Sequence, residues 1–107
     1  MAEFLSDENF NEKVKGANGT VMVDFFATWC GPCKMIGPVV EQFAKEYEGR
    51  AAIYKLDVED AAGTAMSYGV RGVPTLIFFR NGEETERIVG APTKDELREA
   101  LERNING

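Results

Sequence analysis

Two cysteines, Cys30 and Cys33, are the only thiols of the chain, and they stand two residues apart in Trp29-Cys30-Gly31-Pro32-Cys33-Lys34. Such a pair can cycle between dithiol and disulfide, because one thiolate attacks a foreign disulfide and its neighbour resolves the adduct. The stretch also contains the only tryptophan. It lies where an apolar run, Thr20 to Ala27, gives way to a helical pattern beginning near Cys33. A thiol at a helix N-terminus meets free N–H groups and partial positive charge, which favour its thiolate. Cys30, outermost, is therefore expected to be the nucleophile. Cys33, one turn further in, is expected to be the more buried, resolving thiol. Pro32 suits a first turn, where its missing N–H costs nothing, and Gly31 lets another backbone come close.

The rest of the composition narrows the chemistry. There is no histidine, which removes Cys–His and Ser–His nucleophile pairs and most metal sites. Two cysteines alone fall short of the roughly four ligands of a zinc site. A purely structural disulfide over so short a loop constrains little chain. The chain has 107 residues, is 44% hydrophobic and carries a formal charge of −6. That length and apolar content describe one domain, residues 1–107, with a core of its own. An acidic chain whose Lys and Arg are scattered singly is not built for nucleic acid or anionic membrane. No run approaches the ~20 apolar residues of a membrane helix. The first residues show neither the basic flank nor the apolar run of a signal peptide. A cytoplasmic protein is expected, or an organellar one if a transit peptide has been removed.

Several elements must position the cysteines. Leu5-Ser6-Asp7-Glu8-Asn9-Phe10 reads as a helix start with Ser6 as N-cap and Leu5 stapled against Phe10. Phe10, Val14 and Ala17 form its stripe, and Gly16 or Gly19 ends it. Phe4 and Leu5 suggest a short edge strand before it. Thr20 to Ala27 reads as a strand buried on both faces, interrupted by one charge, Asp24. From Cys33 to Tyr47 the apolar spacing is helical, through Ile36, Val39, Val40, Phe43 and Ala44. Pro38 inside it predicts a kink. Ala51 to Val58 is the next strand, interrupted by Lys55. Strand, helix, strand makes a parallel βαβ unit with a right-handed crossover. A short helix, Ala61 to Tyr68, ends at Gly69. Strands Thr75–Arg80 and Thr85–Val89 flank the hairpin signal Asn81-Gly82. Thr93 and Glu96 form a capping box that opens a last helix bearing Leu97, Ala100, Leu101 and Ile105. The architecture predicted is α/β, a mixed sheet with helices on both faces, built from a βαβ half and a ββα half.

The run Val23-Asp-Phe-Phe-Ala-Thr-Trp-Cys-Gly-Pro-Cys-Lys-Met35 resembles the thioredoxin family. Tyr68-Gly-Val-Arg-Gly-Val-Pro-Thr-Leu76 and Asn81-Gly-Glu83 follow at that family's spacing, so the likeness covers essentially the whole chain. It implies the thioredoxin fold, with about five strands and about four helices. It also implies a protein-disulfide reductase without bound cofactor, recharged by a thioredoxin reductase and acting as a monomer on disulfide-containing proteins. Asp24 matches the family's buried carboxylate, thought to exchange a proton with the resolving thiol. A lone carboxylate in an apolar strand should have a raised pKa; the bland alternative is an Asp facing water. Lys55 matches a lysine near that aspartate, or is a solvated charge on the sheet.

Val73-Pro74 is similar to the family's cis-proline element, whose backbone pairs with extended substrate. Trp29, Gly31, Pro32, Gly72, Val73, Pro74, Gly90 and Ala91 would then make a flat contact surface. Trp29 is otherwise an ordinary core residue, and Gly90 an ordinary strand-ending glycine. Lys34 either raises the thiolate fraction or is a solvated first-turn lysine. Three positions depart from the family pattern. Phe26 stands where a second tryptophan is common, Ala61-Ala62 replaces a common Asn-Pro and softens the next helix start, and Pro92 follows the contact loop. A non-redox binding module using the same surface is the competing reading, and a glutathione-dependent role the weaker third.

Overall fold

In the computed structural model, which describes all 107 residues, the apolar run after Gly19 becomes the middle strand of a five-stranded sheet. In chain order the elements are β1 (Glu3–Phe4), a π-helical turn (Asn11–Lys15), β2 (Thr20–Phe26), α1 (Gly31–Glu46) and β3 (Ala51–Asp57). After these come α2 (Ala62–Ser67), β4 (Thr75–Arg80), β5 (Glu83–Val89) and α3 (Lys94–Asn106). The sheet order is β1-β3-β2-β4-β5. β3 lies parallel to both β1 and β2, whereas β4 is antiparallel to β2 and β5. This is the mixed sheet with four helical elements that the sequence and its resemblance predict.

The alternation of β2 explains why a strand so apolar is needed. Met22 faces α1 and α3, in a cluster with Ile36, Val40, Phe43, Leu76, Phe78 and Leu101. Val21, Val23 and Phe25 face the other way, onto Phe10, Val14, Ala61 and Ala65. Burying each large side chain on either face contributes roughly 1.5–3 kcal/mol, and both layers depend on this one strand. Asp24 interrupts the α1 face between Met22 and Phe26.

The first helix departs from expectation. Ser6 does cap: its Oγ accepts the Asn9 N–H at 3.2 Å, and Asn9 Oδ1 accepts the Ser6 N–H at 2.8 Å. Leu5 and Phe10 share one apolar cluster, as the staple requires. The helix then widens to a π turn, in which the Gly16 N–H donates to the Asn11 carbonyl at 2.8 Å. Five residues closed this way give one turn rather than a regular amphipathic helix. The β4–β5 turn packs closely against its end. A Cβ on Gly82 would overlap the Lys15 carbonyl oxygen, and the Gly19 N–H donates to Asn81 Oδ1 at 2.8 Å. Asn81 and Gly82 both have positive φ, 49° and 87°, as a two-residue hairpin turn demands.

α1 begins at Gly31, two residues before the expected start, and runs unbroken through Pro38 to Glu46. The capping box of α3 forms as read, with Thr93 Oγ1 accepting from the Glu96 N–H and Glu96 Oε1 from the Thr93 N–H. No helix is long and apolar enough to cross a membrane.

Candidate functional site

The carboxyl end of β2 delivers the chain to the start of α1, and the two cysteines occupy that junction. Cys30 is the N-cap of α1, with extended backbone, and its Sγ accepts the Cys33 N–H at 3.2 Å. Gly31 and Pro32 fill the first two helical positions. Cys30 and Cys33 are joined as a disulfide with Cα atoms 5.3 Å apart. The sulfur therefore uses one of the N–H groups that a helix start leaves free.

The expected difference in burial is not found. Cys30 and Cys33 are each 5% exposed. The cause is tertiary: Val73 packs on the cluster of Ala27, Cys30 and Cys33, and its carbonyl oxygen lies 3.6 Å from Cys30 Sγ. A loop distant in sequence thus covers the outer cysteine as effectively as the helix covers the inner one.

That loop is anchored. The Val73–Pro74 peptide is cis, and Pro74 is buried at the head of β4. The Gly90 N–H donates to the Pro74 carbonyl at 2.8 Å, and the Thr75 hydroxyl to the Gly72 carbonyl at 2.6 Å. Gly72, Val73, Pro74 and Gly90 are thereby held together, with Val73 against Cys30. Gly90 has φ 98°, open to glycine and strained for other residues. Ala91 is exposed just beyond it. Gly31 and Pro32 are exposed as well, and a Cβ on Gly31 would meet nothing within 4 Å. No internal packing requires a glycine there. Trp29 is 68% exposed, so it is not a core residue. Its ring faces water one residue before the disulfide.

Behind the disulfide, Asp24 is 1% exposed and neither carboxylate oxygen has a hydrogen-bond partner in the protein. Burial pushes its pKa up to about 7, and the nearby Lys55 charge opposes that rise. An Asp facing water is thus ruled out. Asp24, Cys33, Lys34 and Lys55 line one cleft of about 320 Å³, together with Thr28 and Gly37. Lys55 pairs with Asp24 in the β2–β3 register. Its side chain is only 16% exposed and its ammonium lies 5.0 Å from the centre of the Phe26 ring, so it is not a freely solvated charge. Lys34 is exposed at the cleft mouth.

Two residues near this site carry no sequence signal for it. Glu41 reads as one more polar position on α1, yet its Oε2 lies 3.8 Å from the Lys55 ammonium. Phe4 reads as edge-strand filler, yet its ring also flanks that ammonium. Only the pairing of β1 with β3 brings Phe4 there, and short-range pattern does not reveal it.

Comparison with known proteins agrees with this geometry. The family model described as Thioredoxin matches residues 1–103. The chain is 45% identical over 102 residues to the M-type chloroplastic thioredoxin of Spinacia oleracea, covering 95% of this chain and 56% of that protein. It is 43% identical over 103 residues to the M-type chloroplastic thioredoxin of Pisum sativum, covering 96% and 60% respectively. With the thioredoxin of Staphylococcus aureus strain Mu50 it shares 46% identity over 101 residues, 94% of this chain and 95% of that one. The chain thus spans somewhat over half the length of the two chloroplast relatives and nearly all of the bacterial one.

Proposed function

The chain belongs to the thioredoxin family, and from that premise we propose that it is a thiol–disulfide oxidoreductase that reduces disulfides in other proteins. The observation that carries this reading is the Cys30–Cys33 disulfide closed across the N-terminus of α1, beside an exposed Trp29 and a cis Val73–Pro74 peptide.

In the dithiol form, Cys30 is the nucleophile, because its sulfur occupies the cap position where N–H groups stabilise negative charge. Lys34, one turn in, adds a positive charge on the same side. The Cys30 thiolate attacks one sulfur of the substrate disulfide. A bond forms between Cys30 Sγ and that sulfur, the substrate S–S bond breaks, and the other sulfur leaves as a thiolate that takes up a proton. Asp24 accepts the Cys33 proton through the cleft they share, whose volume has room for water to bridge them. A carboxyl poised near pH 7 suits proton exchange at working pH. The Cys33 thiolate then attacks Cys30 Sγ, restores the disulfide and releases the second substrate sulfur. Two electrons pass to the substrate and the chain is left oxidised.

The backbone of the half-buried Val73 is the strand-like partner for an extended substrate segment in this reading. Trp29, Gly31, Pro32, Gly72, Pro74, Gly90 and Ala91 form the surface around it. We take residues 1–107 as one domain working as a monomer, without bound cofactor, and recharged by a thioredoxin reductase. The formal charge of −6 supports protein substrates over nucleic acid or anionic membrane. The working compartment in this reading is the cytoplasm, or an organelle as for the chloroplastic relatives.

The test is reduction of insulin by the purified protein with NADPH and a thioredoxin reductase. NADPH consumption that depends on this chain is expected. A folded chain that gives none, while a control thioredoxin does, overturns the reading. Cys33→Ser is expected to accumulate mixed disulfides through Cys30, seen as a mass increase that dithiothreitol removes.

A further inference from the structure

Lys55 is the one member of the site whose surroundings the reaction above leaves unexplained. It stands next to Asp24 on the same face of the sheet, where two opposite charges would ordinarily pair. They do not: both Asp24 oxygens lack a partner, and the acidic group within 4 Å of the Lys55 ammonium is Glu41, at 3.8 Å. The ammonium also lies 5.0 Å from the Phe26 ring centre and 5.5 Å from that of Phe4, the two rings meeting edge to face. Ring faces carry negative charge density and attract a cation.

This bracket is itself pinned. Glu41 Oε1 accepts the Ala2 N–H at 2.6 Å, tying α1 to the start of β1. Phe4 is in register with Lys55, and the Leu5 N–H donates to the Lys55 carbonyl at 2.8 Å. Residues 2–5 therefore close over Lys55 from the outer edge of the sheet.

We propose that Glu41 and Phe4 are positioning residues for proton exchange at Asp24, holding the Lys55 ammonium away from the carboxyl and so setting when it gives up its proton. The inference rests on the reading that Asp24 exchanges protons with the cysteine pair. Released from the bracket, the ammonium can swing toward Asp24 and favour its carboxylate. The ionisable groups around Asp24 are few. β3 contributes Lys55 and, further along, Asp57, whose Oδ1 is occupied by the Glu59 N–H. α1 contributes Cys33, Lys34 and, through Lys55, Glu41. β4 presents Leu76 opposite Asp24 and no charge. The observed burial of Asp24 raises its pKa while Lys55 lowers it, so the position of that one ammonium is the adjustable part.

The test follows the Asp24 carboxyl carbon by NMR against pH, in the oxidised protein so that no thiol titrates. Glu41→Gln is expected to move the Asp24 midpoint down by about half a pH unit or more. In a Lys55→Gln background the same substitution is expected to move it less than half as far, since only the direct field of Glu41 is then lost. Phe4→Leu, at a half-exposed position, is expected to move the midpoint in the same direction, and provides the readout should Glu41→Gln not fold. An unmoved midpoint, or an equal shift with and without Lys55, overturns the proposal. Insulin reduction by wild-type protein is scored separately. Its failure would sink the redox reading, whereas an unmoved midpoint in a protein that does reduce insulin sinks only the bracket.

Discussion

Asp24 links protonation to stability at the scale of a single residue. Its ordinary pKa is 3.8, and in the folded chain burial lifts it to about 7. Between those values the folded chain holds a proton that the unfolded chain has lost. Stability therefore falls as pH rises from about 4 to about 7 and levels off above, where a charged carboxylate sits buried without partners. A shift of that size corresponds to a penalty on the order of 4 kcal/mol. Asp24→Asn is expected to unfold at higher urea than wild type at pH 8 and to match it near pH 4. Denaturation curves at the two pH values check this, and equal midpoints at pH 8 would refute it. The same variant should slow release of mixed disulfides at pH 7, on the order of 10²-fold for a lost general base. A group kept at such a cost to stability supports the proposed role of Asp24 in proton exchange.

The element scale shows how the softened start of α2 is repaired. Ala61 is its N-cap and offers no side-chain acceptor. Asp7 supplies the cap from another part of the chain. Its Oδ1 accepts from the Thr64 N–H at 2.8 Å and the Thr64 hydroxyl at 2.6 Å, and its Oδ2 from the Gly63 N–H at 3.3 Å. The Thr64 hydroxyl and N–H hold the Asp7 pKa below 3.8. A lowered acid stabilises the fold above its unfolded pKa and stops doing so as pH falls through its folded pKa. Asp7→Ala is expected to melt below wild type at pH 7, with the gap narrowing under strongly acid conditions. Thermal melts across that range decide it; a gap independent of pH would leave the cap without its charge.

Over the whole molecule, the proposed contact surface draws on three places: the β2–α1 junction, the cis-proline loop, and the end of β5. Two opposing demands meet there. The core beneath must be rigid, and Met22, Phe25, Leu76 and Phe78 are all fully buried. In the proposed role the surface stays open, which accords with the exposure of Trp29. Trp29→Ala is expected to leave folding stability within about 0.5 kcal/mol of wild type, as for exposed positions generally. It should raise the KM for insulin several-fold. Paired melts and insulin kinetics check both, and a large loss of stability would mean that Trp29 supports the core after all.

What the sequence determined by itself is local. Cys30-Gly31-Pro32-Cys33, the even apolar run of β2, the Asn81-Gly82 turn and the Thr93–Glu96 box each sit within one stretch of chain, where period and turn chemistry suffice. Asp24 stood out because a charge in an apolar strand breaks that period. The first helix misled, because apolar spacing does not distinguish the i to i+5 closure at Gly16 from a regular turn. The equal burial of the two cysteines was equally invisible, since Val73 arrives from forty-three residues away. The same holds for Glu41 and Phe4 around Lys55 and for Asp7 on α2. Contacts between elements depend on sheet order and register, which no short window of residues contains. Sequence placed the reactive pair at a strand-to-helix turn; tertiary structure decided how deep it lies, what covers it and which charge faces the proton behind it.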